Sequence, residues 1–140
     1  IFFSNNKNEF FSLNKKNGSI NWMNTVKSNF TPILVGDLII TISDEGYLYV
    51  IDKDKGNIIR INYIFKDNRV KERRFLKPTG FSIGQNMVYV SINNGKLKKI
   101  ELSTGKDIQN INISREIISM PFIFNKNLFV IKNGTVIKYE

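Results

Sequence analysis

The sequence predicts an all-β fold made of short antiparallel strands arranged in tandem units. Three observations support this prediction: apolar and polar residues alternate in short runs, glycine and asparagine turns separate the runs, and the same order of strands and turns recurs along the 140 residues. A chain of this length suits one domain. Its longest apolar run, Leu38 to Ile42, has the length of a strand and not the roughly 20 residues that cross a bilayer.

The first half of each unit is a strand led by a proline, followed by a turn and a second strand. The prolines are Pro32, Pro78 and Pro121, and the turns fall at Gly36, Gly84 and Asn125. The second half begins at another turn residue, and its strand ends at an acidic or amide side chain four residues before a glycine. The turn residues are Asn8, Gly46, Gly95 and Gly134, the acidic or amide residues are Asn14, Asp52 and Glu101, and the glycines are Gly18, Gly56 and Gly105.

Each unit therefore contains four short strands. In the second unit we expect them near Thr31–Val35, Leu38–Ser43, Tyr47–Asp52 and Asn57–Ile64, because side chains there alternate with the period of a strand. Tandem four-stranded units of about 40 residues are typical of β-propellers. The chain is then a propeller fragment of about three and a half four-stranded antiparallel blades, with the remaining strands in a longer protein. We expect a single partial domain with units at 1–27, 28–64, 77–116 and 117–140, and an inter-blade insertion at 65–77.

The repeat resembles that of the PQQ-like, or quinoprotein-type, propellers. A Pro-led strand, a Gly-x-[Leu or Val] strand and an Asp or Asn four residues before a glycine follow one another in that family, and a docking tryptophan follows the glycine. Trp22 stands at this position after Gly18, whereas Arg60 and Gln109 occupy it in the next two units. We expect Trp22 to pack in the core between two blades. A WD-type propeller is disfavoured, since the sequence has no histidine and Met23 follows the tryptophan.

Within this family the chain most resembles the C-terminal part of the BamB outer-membrane protein assembly factors, over nearly its whole length. The resemblance implies a non-enzymatic protein-interaction scaffold in the bacterial periplasm, associated with the outer membrane. It implies a BamA-like barrel-assembly subunit as the partner, and membrane association only through a lipid anchor upstream of this chain. No cofactor, metal or small-molecule substrate is expected.

Asp52 and Asp54 are the first candidates for catalytic carboxylates. The positions equivalent to Asp52 are Asn14 and Glu101, so we interpret the position as a hydrogen-bond acceptor that stabilises a turn. The other acids are mostly placed in turns as well: Asp37, Asp44, Glu45, Asp67 and Asp107. The absence of cysteine and histidine excludes zinc sites with those ligands, Ser-His-Asp triads and disulfides. The alternative from another class is a fragment of a PQQ-dependent dehydrogenase, which by resemblance would use a quinone and calcium.

The insertion from Lys66 to Lys77 has no counterpart in the other units. Six of its residues are basic and two are acidic. We expect it to bind an acidic protein surface through basic side chains and an apolar anchor: Arg69, Lys71, Arg73, Arg74 and Phe75. A solvated loop with Phe75 and Leu76 in the core is the simpler alternative, and nucleic-acid binding is a third. The net charge of +9 permits either a polyanion-binding function or lysine enrichment from AT-rich codons.

Overall fold

The computed structural model describes residues 1–139 and confirms the all-β prediction. The described residues form four antiparallel sheets, and in each sheet the strands are adjacent in chain order. Sheet 1 comprises β1 (Phe2–Ser4), β2 (Phe10–Leu13) and β3 (Ile20–Asn24). Sheet 2 comprises β4 (Ile33–Val35), β5 (Leu38–Ile42), β6 (Tyr47–Asp52) and β7 (Ile58–Tyr63).

The second half of the chain repeats this arrangement. Sheet 3 comprises β8 (Pro78–Gly84), β9 (Met87–Ile92), β10 (Lys96–Glu101) and β11 (Asp107–Asn112). Sheet 4 comprises β12 (Phe122–Phe124), β13 (Asn127–Lys132) and β14 (Thr135–Tyr139). One helical turn, α1 (Val70–Arg73), precedes β8. Two sheets of four strands and two of three match the predicted three and a half blades.

The chain divides into two compact units, the first ending at Tyr63 and the second beginning at Ile64. The first contains sheets 1 and 2, and the second contains the insertion with sheets 3 and 4. The grouping of all four sheets into one partial propeller domain stays a prediction.

The turns that close the repeats are held by side-chain acceptors. Asp52 Oδ1 accepts the backbone N–H groups of Asp54 at 2.9 Å and Lys55 at 2.6 Å, and the Asp52 carbonyl accepts the N–H of Gly56. In sheet 1, Asn14 Oδ1 likewise accepts the backbone N–H of Lys16. The chain then reverses through a glycine with positive φ, which a residue with a Cβ adopts at a cost.

An aromatic contact joins sheets 1 and 2. Trp22 stacks with Phe2 and Phe10, each with its ring centroid 6.0 Å away. Its Nε1–H donates to the Lys53 carbonyl at 2.9 Å, in the turn after β6. The ring lies so close to Gly56 that a Cβ there would be 2.5 Å from Trp22 Cδ2. Two features therefore require glycine at position 56: its φ of +74° and the close approach of the indole ring.

The core of the first unit surrounds this contact. Phe10, Val26, Ile39 and Ile51 are fully or almost fully buried there, and Tyr49 packs against them. Burial raises the pKa of the Tyr49 hydroxyl. Tyr49 and Ile51 are two positions apart on β6 and therefore face the same side of the sheet.

A smaller apolar core joins sheets 3 and 4 in the second unit. It contains Leu97, Ile111 and Leu128, with partly buried residues such as Tyr89 and Tyr139 against it. Sheet 3 also contains a buried ion pair, since Lys98 Nζ lies 2.8 Å from Asp107 Oδ2 and donates its hydrogen bond to the Ile64 carbonyl. Asp107 was expected in a turn, but it is the first residue of β11 and neutralises the buried lysine.

Replacing Trp22 by alanine should lower the free energy of unfolding by about 3–5 kcal/mol, because the cavity forms between two sheets that touch through this ring. Urea denaturation followed by circular dichroism measures the loss. Phe124→Ala is the matched aromatic control, since Phe124 is 64% exposed, and it should change stability by about 0.5 kcal/mol or less. A loss below about 1 kcal/mol for Trp22→Ala would contradict the proposed packing role.

Gly56→Ala and Gly18→Ala should separate backbone strain from the indole contact. The two glycines have φ of +74° and +73°, so alanine carries the same left-handed backbone cost of about 1 kcal/mol at both. Only at Gly56 must the Trp22 ring also move, whereas nothing lies within 4 Å of the added Cβ at Gly18. Gly56→Ala should therefore be less stable than Gly18→Ala by about 2 kcal/mol or more. Equal losses would show that the ring is not held against the glycine.

Candidate protein interface

The insertion from Lys66 to Lys77 is an ordered segment anchored by the residues before it. Ile64 and Phe65 are buried, with relative exposures of 1% and 0%. The segment then turns at Asn68, whose N–H donates to the Phe65 carbonyl at 3.0 Å, and continues into α1. The insertion is thus a turn followed by a single helical turn.

Arg73 holds this segment together from within. Its Nε–H donates to the Asn68 carbonyl at 2.9 Å, and its Nη2 donates to the Lys66 carbonyl. Charge-assisted bonds to carbonyl groups are among the stronger hydrogen bonds in proteins. Arg73 was expected to contact a partner, and that role stays a prediction, but its guanidinium already bonds to the insertion itself.

Asn93 attaches the far end of the insertion to sheet 3. Its Nδ2 donates to the Phe75 carbonyl at 2.8 Å, while its Oδ1 accepts the Lys77 N–H at 3.1 Å. The Asn93 N–H also donates to the Lys77 carbonyl at 2.9 Å. The sequence analysis did not single out this residue, although an asparagine at a strand end beside an insertion is a signal for such side-chain bonds to the backbone.

The exposed side chains of the insertion form a basic and apolar surface, here called the insertion face, which consists of Arg69, Val70, Lys71, Arg74 and Phe75. Val70 and Phe75 are 76% and 64% exposed. The Arg74 guanidinium lies over the Phe75 ring at 4.6 Å from its centroid. The expected apolar anchor is therefore on the surface rather than in the core.

Charge on the insertion face is only weakly neutralised within the segment. Arg69 Nη1 lies 3.9 Å from Glu72 Oε1, and both side chains are well exposed, so water screens the pair. Lys71 and Arg74 have no ion pair among the described residues. The surface thus offers positive charge next to an exposed aromatic ring.

The repeat residues lie at turns and strand ends. Pro78 begins β8, and Pro32 and Pro121 directly precede β4 and β12. The glycines of the repeat pattern have positive φ: Gly18, Gly46, Gly56, Gly95, Gly105 and Gly134. Among the described residues, six more have positive φ and carry asparagine, glutamine or lysine: Asn8, Gln85, Asn86, Asn125, Lys126 and Asn133.

The carboxylates do not fit a calcium and quinone site. Lys53 bonds to Asp37 at 2.5 Å, and this hydrogen bond lowers the pKa of the Asp37 carboxyl. The hydrogen bond from Lys27 likewise lowers the pKa of the Glu45 carboxyl. Asp52 is held by turn N–H groups, and residues 1–139 contain no cluster of three acidic side chains that could hold a metal ion.

Comparison with known proteins identifies the repeat. Residues 1–62 match the family model described as outer membrane protein assembly factor BamB. The crystal structure of BamB from Moraxella catarrhalis superposes on 99% of this chain with a TM-score of 0.71 and 15% identity. The chain therefore has the fold of a BamB propeller, and the match to the BamB family model is confined to its first 62 residues. It spans 42% of the length of that BamB structure, and at this identity the likeness of the structures shows the fold alone.

Structures with other descriptions share this fold. Quinohemoprotein alcohol dehydrogenase ADHIIG from Pseudomonas putida HK5 matches 71% of the chain with a TM-score of 0.57 and 19% identity, over 16% of its own length. The computationally designed Ika4 protein matches 98% of the chain, over 86% of its own length, with a TM-score of 0.72 and 12% identity. No curated protein matches the sequence. None of the described helices is long and apolar enough to cross a membrane.

Arg73→Ala should loosen the insertion, because the carbonyls of Lys66 and Asn68 lose their donor. Loss of such charged hydrogen bonds costs about 1–3 kcal/mol, so the amides of Phe75 and Leu76 should exchange with solvent about tenfold faster or more. Hydrogen exchange followed by NMR measures this. Lys71→Ala, which removes a charge without an internal bond, should leave both amides protected. Equal exchange in the two variants would contradict the internal role of Arg73.

Proposed function

We propose that this BamB-like propeller is a non-enzymatic protein-interaction scaffold in outer-membrane protein assembly. The match of residues 1–62 to the BamB family is the observation that supports the proposal most. Propellers with this fold serve different functions, so the function must come from the surface rather than the architecture. The insertion face is the part of that surface that departs from the repeat.

The insertion face has the chemistry of a protein-binding surface. Arginine and aromatic side chains dominate the energetics of protein interfaces, and here Arg74 and Phe75 are already in contact before a partner binds. Burying the Phe75 ring would add apolar area, while Arg69, Lys71 and Arg74 would attract an acidic surface and increase the rate of association. The internal bonds of Arg73 and Asn93 reduce the entropy that a flexible loop would lose on binding.

We infer that the partner is a BamA-like barrel-assembly subunit and that binding takes place in the periplasm, at the outer membrane. Both inferences rest on the family match, and the acidic patch that the partner must present follows from the charge of the insertion face. Binding of nucleic acid uses the same positive charge, so salt dependence alone does not distinguish the two.

A fragment of a quinoprotein dehydrogenase is the second candidate, favoured by the match to alcohol dehydrogenase ADHIIG. The carboxylates of Asp37, Glu45 and Asp52 already bond to lysines or to turn N–H groups, which argues against this candidate. Isothermal titration of the chain with calcium and pyrroloquinoline quinone tests it directly, and tight stoichiometric binding would overturn the scaffold proposal.

Reversing the charge of Arg69, Lys71 and Arg74 to glutamate should weaken binding to the BamA-like subunit by about tenfold or more, mainly through slower association. Phe75→Ala should instead accelerate dissociation, because the apolar anchor is lost. Surface plasmon resonance on the purified subunit separates the two rates.

The matched control for charge is the triple change of Lys7, Lys15 and Lys16 to glutamate, at exposed turns of the first unit. It alters the net charge by the same amount and should leave the affinity within about threefold of the original. If both triple variants weaken binding equally, net charge and not the insertion face carries the interaction. A duplex DNA that binds the chain as tightly as the subunit does would favour the nucleic-acid alternative.

A further inference from the structure

A groove lies between sheets 3 and 4, beside the β8–β9 and β12–β13 turns. It consists of two adjoining cavities of about 140 and 240 Å³ that share four residues: Gln85, Tyr89, Lys126 and Leu128. The first cavity is mostly apolar, with Ile123 and Leu128 on its floor. The second also reaches Lys99 and Gln109 on sheet 3.

The groove lies where the repeat has lost its docking aromatic. In sheet 1 the cross-strand partner of Ser12 is Trp22, whose ring fills the space between sheets 1 and 2. In sheet 3 the equivalent pair is Lys99 and Gln109. Gln109 lines the second cavity, so the residue at the position of Trp22 borders the groove in the second unit.

Two lysines place positive charge beside this apolar space. Lys99 takes the place of Ser12, and its Nζ lies 5.9 Å from the centroid of the Tyr89 ring. Lys126 borders both cavities from the β12–β13 turn, where its φ of +64° holds it in a left-handed conformation. Neither ammonium group has an ion pair among the described residues, and no described lining residue is acidic.

We propose that this groove binds a carboxylate carried on an apolar group. The carboxylate would lie between the ammonium groups of Lys99 and Lys126, where charge-assisted hydrogen bonds form in a partly apolar setting. The apolar group would occupy the cavity over Ile123 and Leu128, beside Tyr89. Two cavities of about 140 and 240 Å³ are smaller than the 300–1,000 Å³ of sites for drug-sized ligands, so they suit one ring or one side chain.

This site goes beyond the proposed scaffold function and does not rest on it. Its residues belong to sheets 3 and 4, whereas the protein interface was assigned to residues of the insertion. Failure of one proposal therefore leaves the other standing.

Titration of the chain with phenylacetate tests the proposal by NMR. Side-chain and amide signals of Tyr89, Ile123 and Leu128 should shift in a saturable manner. Phenylacetamide, which has the same shape without the charge, should bind at least about tenfold more weakly. A blocked Phe-Glu peptide tests whether the carboxylate belongs to a peptide: tighter binding of the peptide assigns it there, and tighter binding of phenylacetate assigns it to a free acid.

Four variants locate the site. Lys99→Met and Lys126→Met should each weaken phenylacetate binding about tenfold, and Lys96→Met on the same strand as Lys99 should not. Gln109→Trp should abolish binding, because the indole refills the groove as Trp22 does in the first unit. Unfolding midpoints check that each variant is folded. The proposal is overturned by the absence of saturable shifts, by equal affinity for phenylacetamide, or by Lys96→Met weakening binding as much as Lys99→Met.

Discussion

The contact of the Trp22 indole with Gly56 is the interaction on which the packing of sheet 1 against sheet 2 depends. A small sheet of three or four strands cannot bury both faces, so its stability comes from stacking on a neighbour. The indole does this with one ring: it stacks with two phenylalanines, fills the space over a glycine without a side chain, and donates a hydrogen bond to the Lys53 carbonyl. The turn that presents that carbonyl is in turn held by Asp52, which links the repeat pattern directly to the packing.

Both candidate binding surfaces lie where the chain departs from the repeat pattern. In sheet 3, Gln109 stands at the position of the tryptophan and lines a groove that Lys99 and Lys126 also border. At the insertion, extra residues are ordered by bonds to their own carbonyls rather than by burial, which leaves charge and an aromatic ring on the surface. The indole contact is kept between sheets 1 and 2, whereas the two candidate binding surfaces lie at positions that depart from the repeat.

The sequence predicted the strands well because their period and their turn residues are local signals. The four strands of the second unit begin and end within two residues of their predicted bounds. The ion pair of Lys98 with Asp107 could not be predicted, since it depends on which side chains meet across two strands and on a carbonyl of a distant residue. The internal bonds of Arg73 were missed for the same reason, and composition alone made it look like an exposed charge.

The central claim is that the insertion face binds a barrel-assembly subunit. The most direct measurement is site-specific photo-crosslinking in the source organism, with benzoylphenylalanine in place of Phe75 and, as a control, in place of the exposed Phe124. The account predicts a crosslink from position 75 to the BamA-like subunit, identified by mass spectrometry, and none from position 124. Equal crosslinks from both positions, or none to that subunit from position 75, would contradict it.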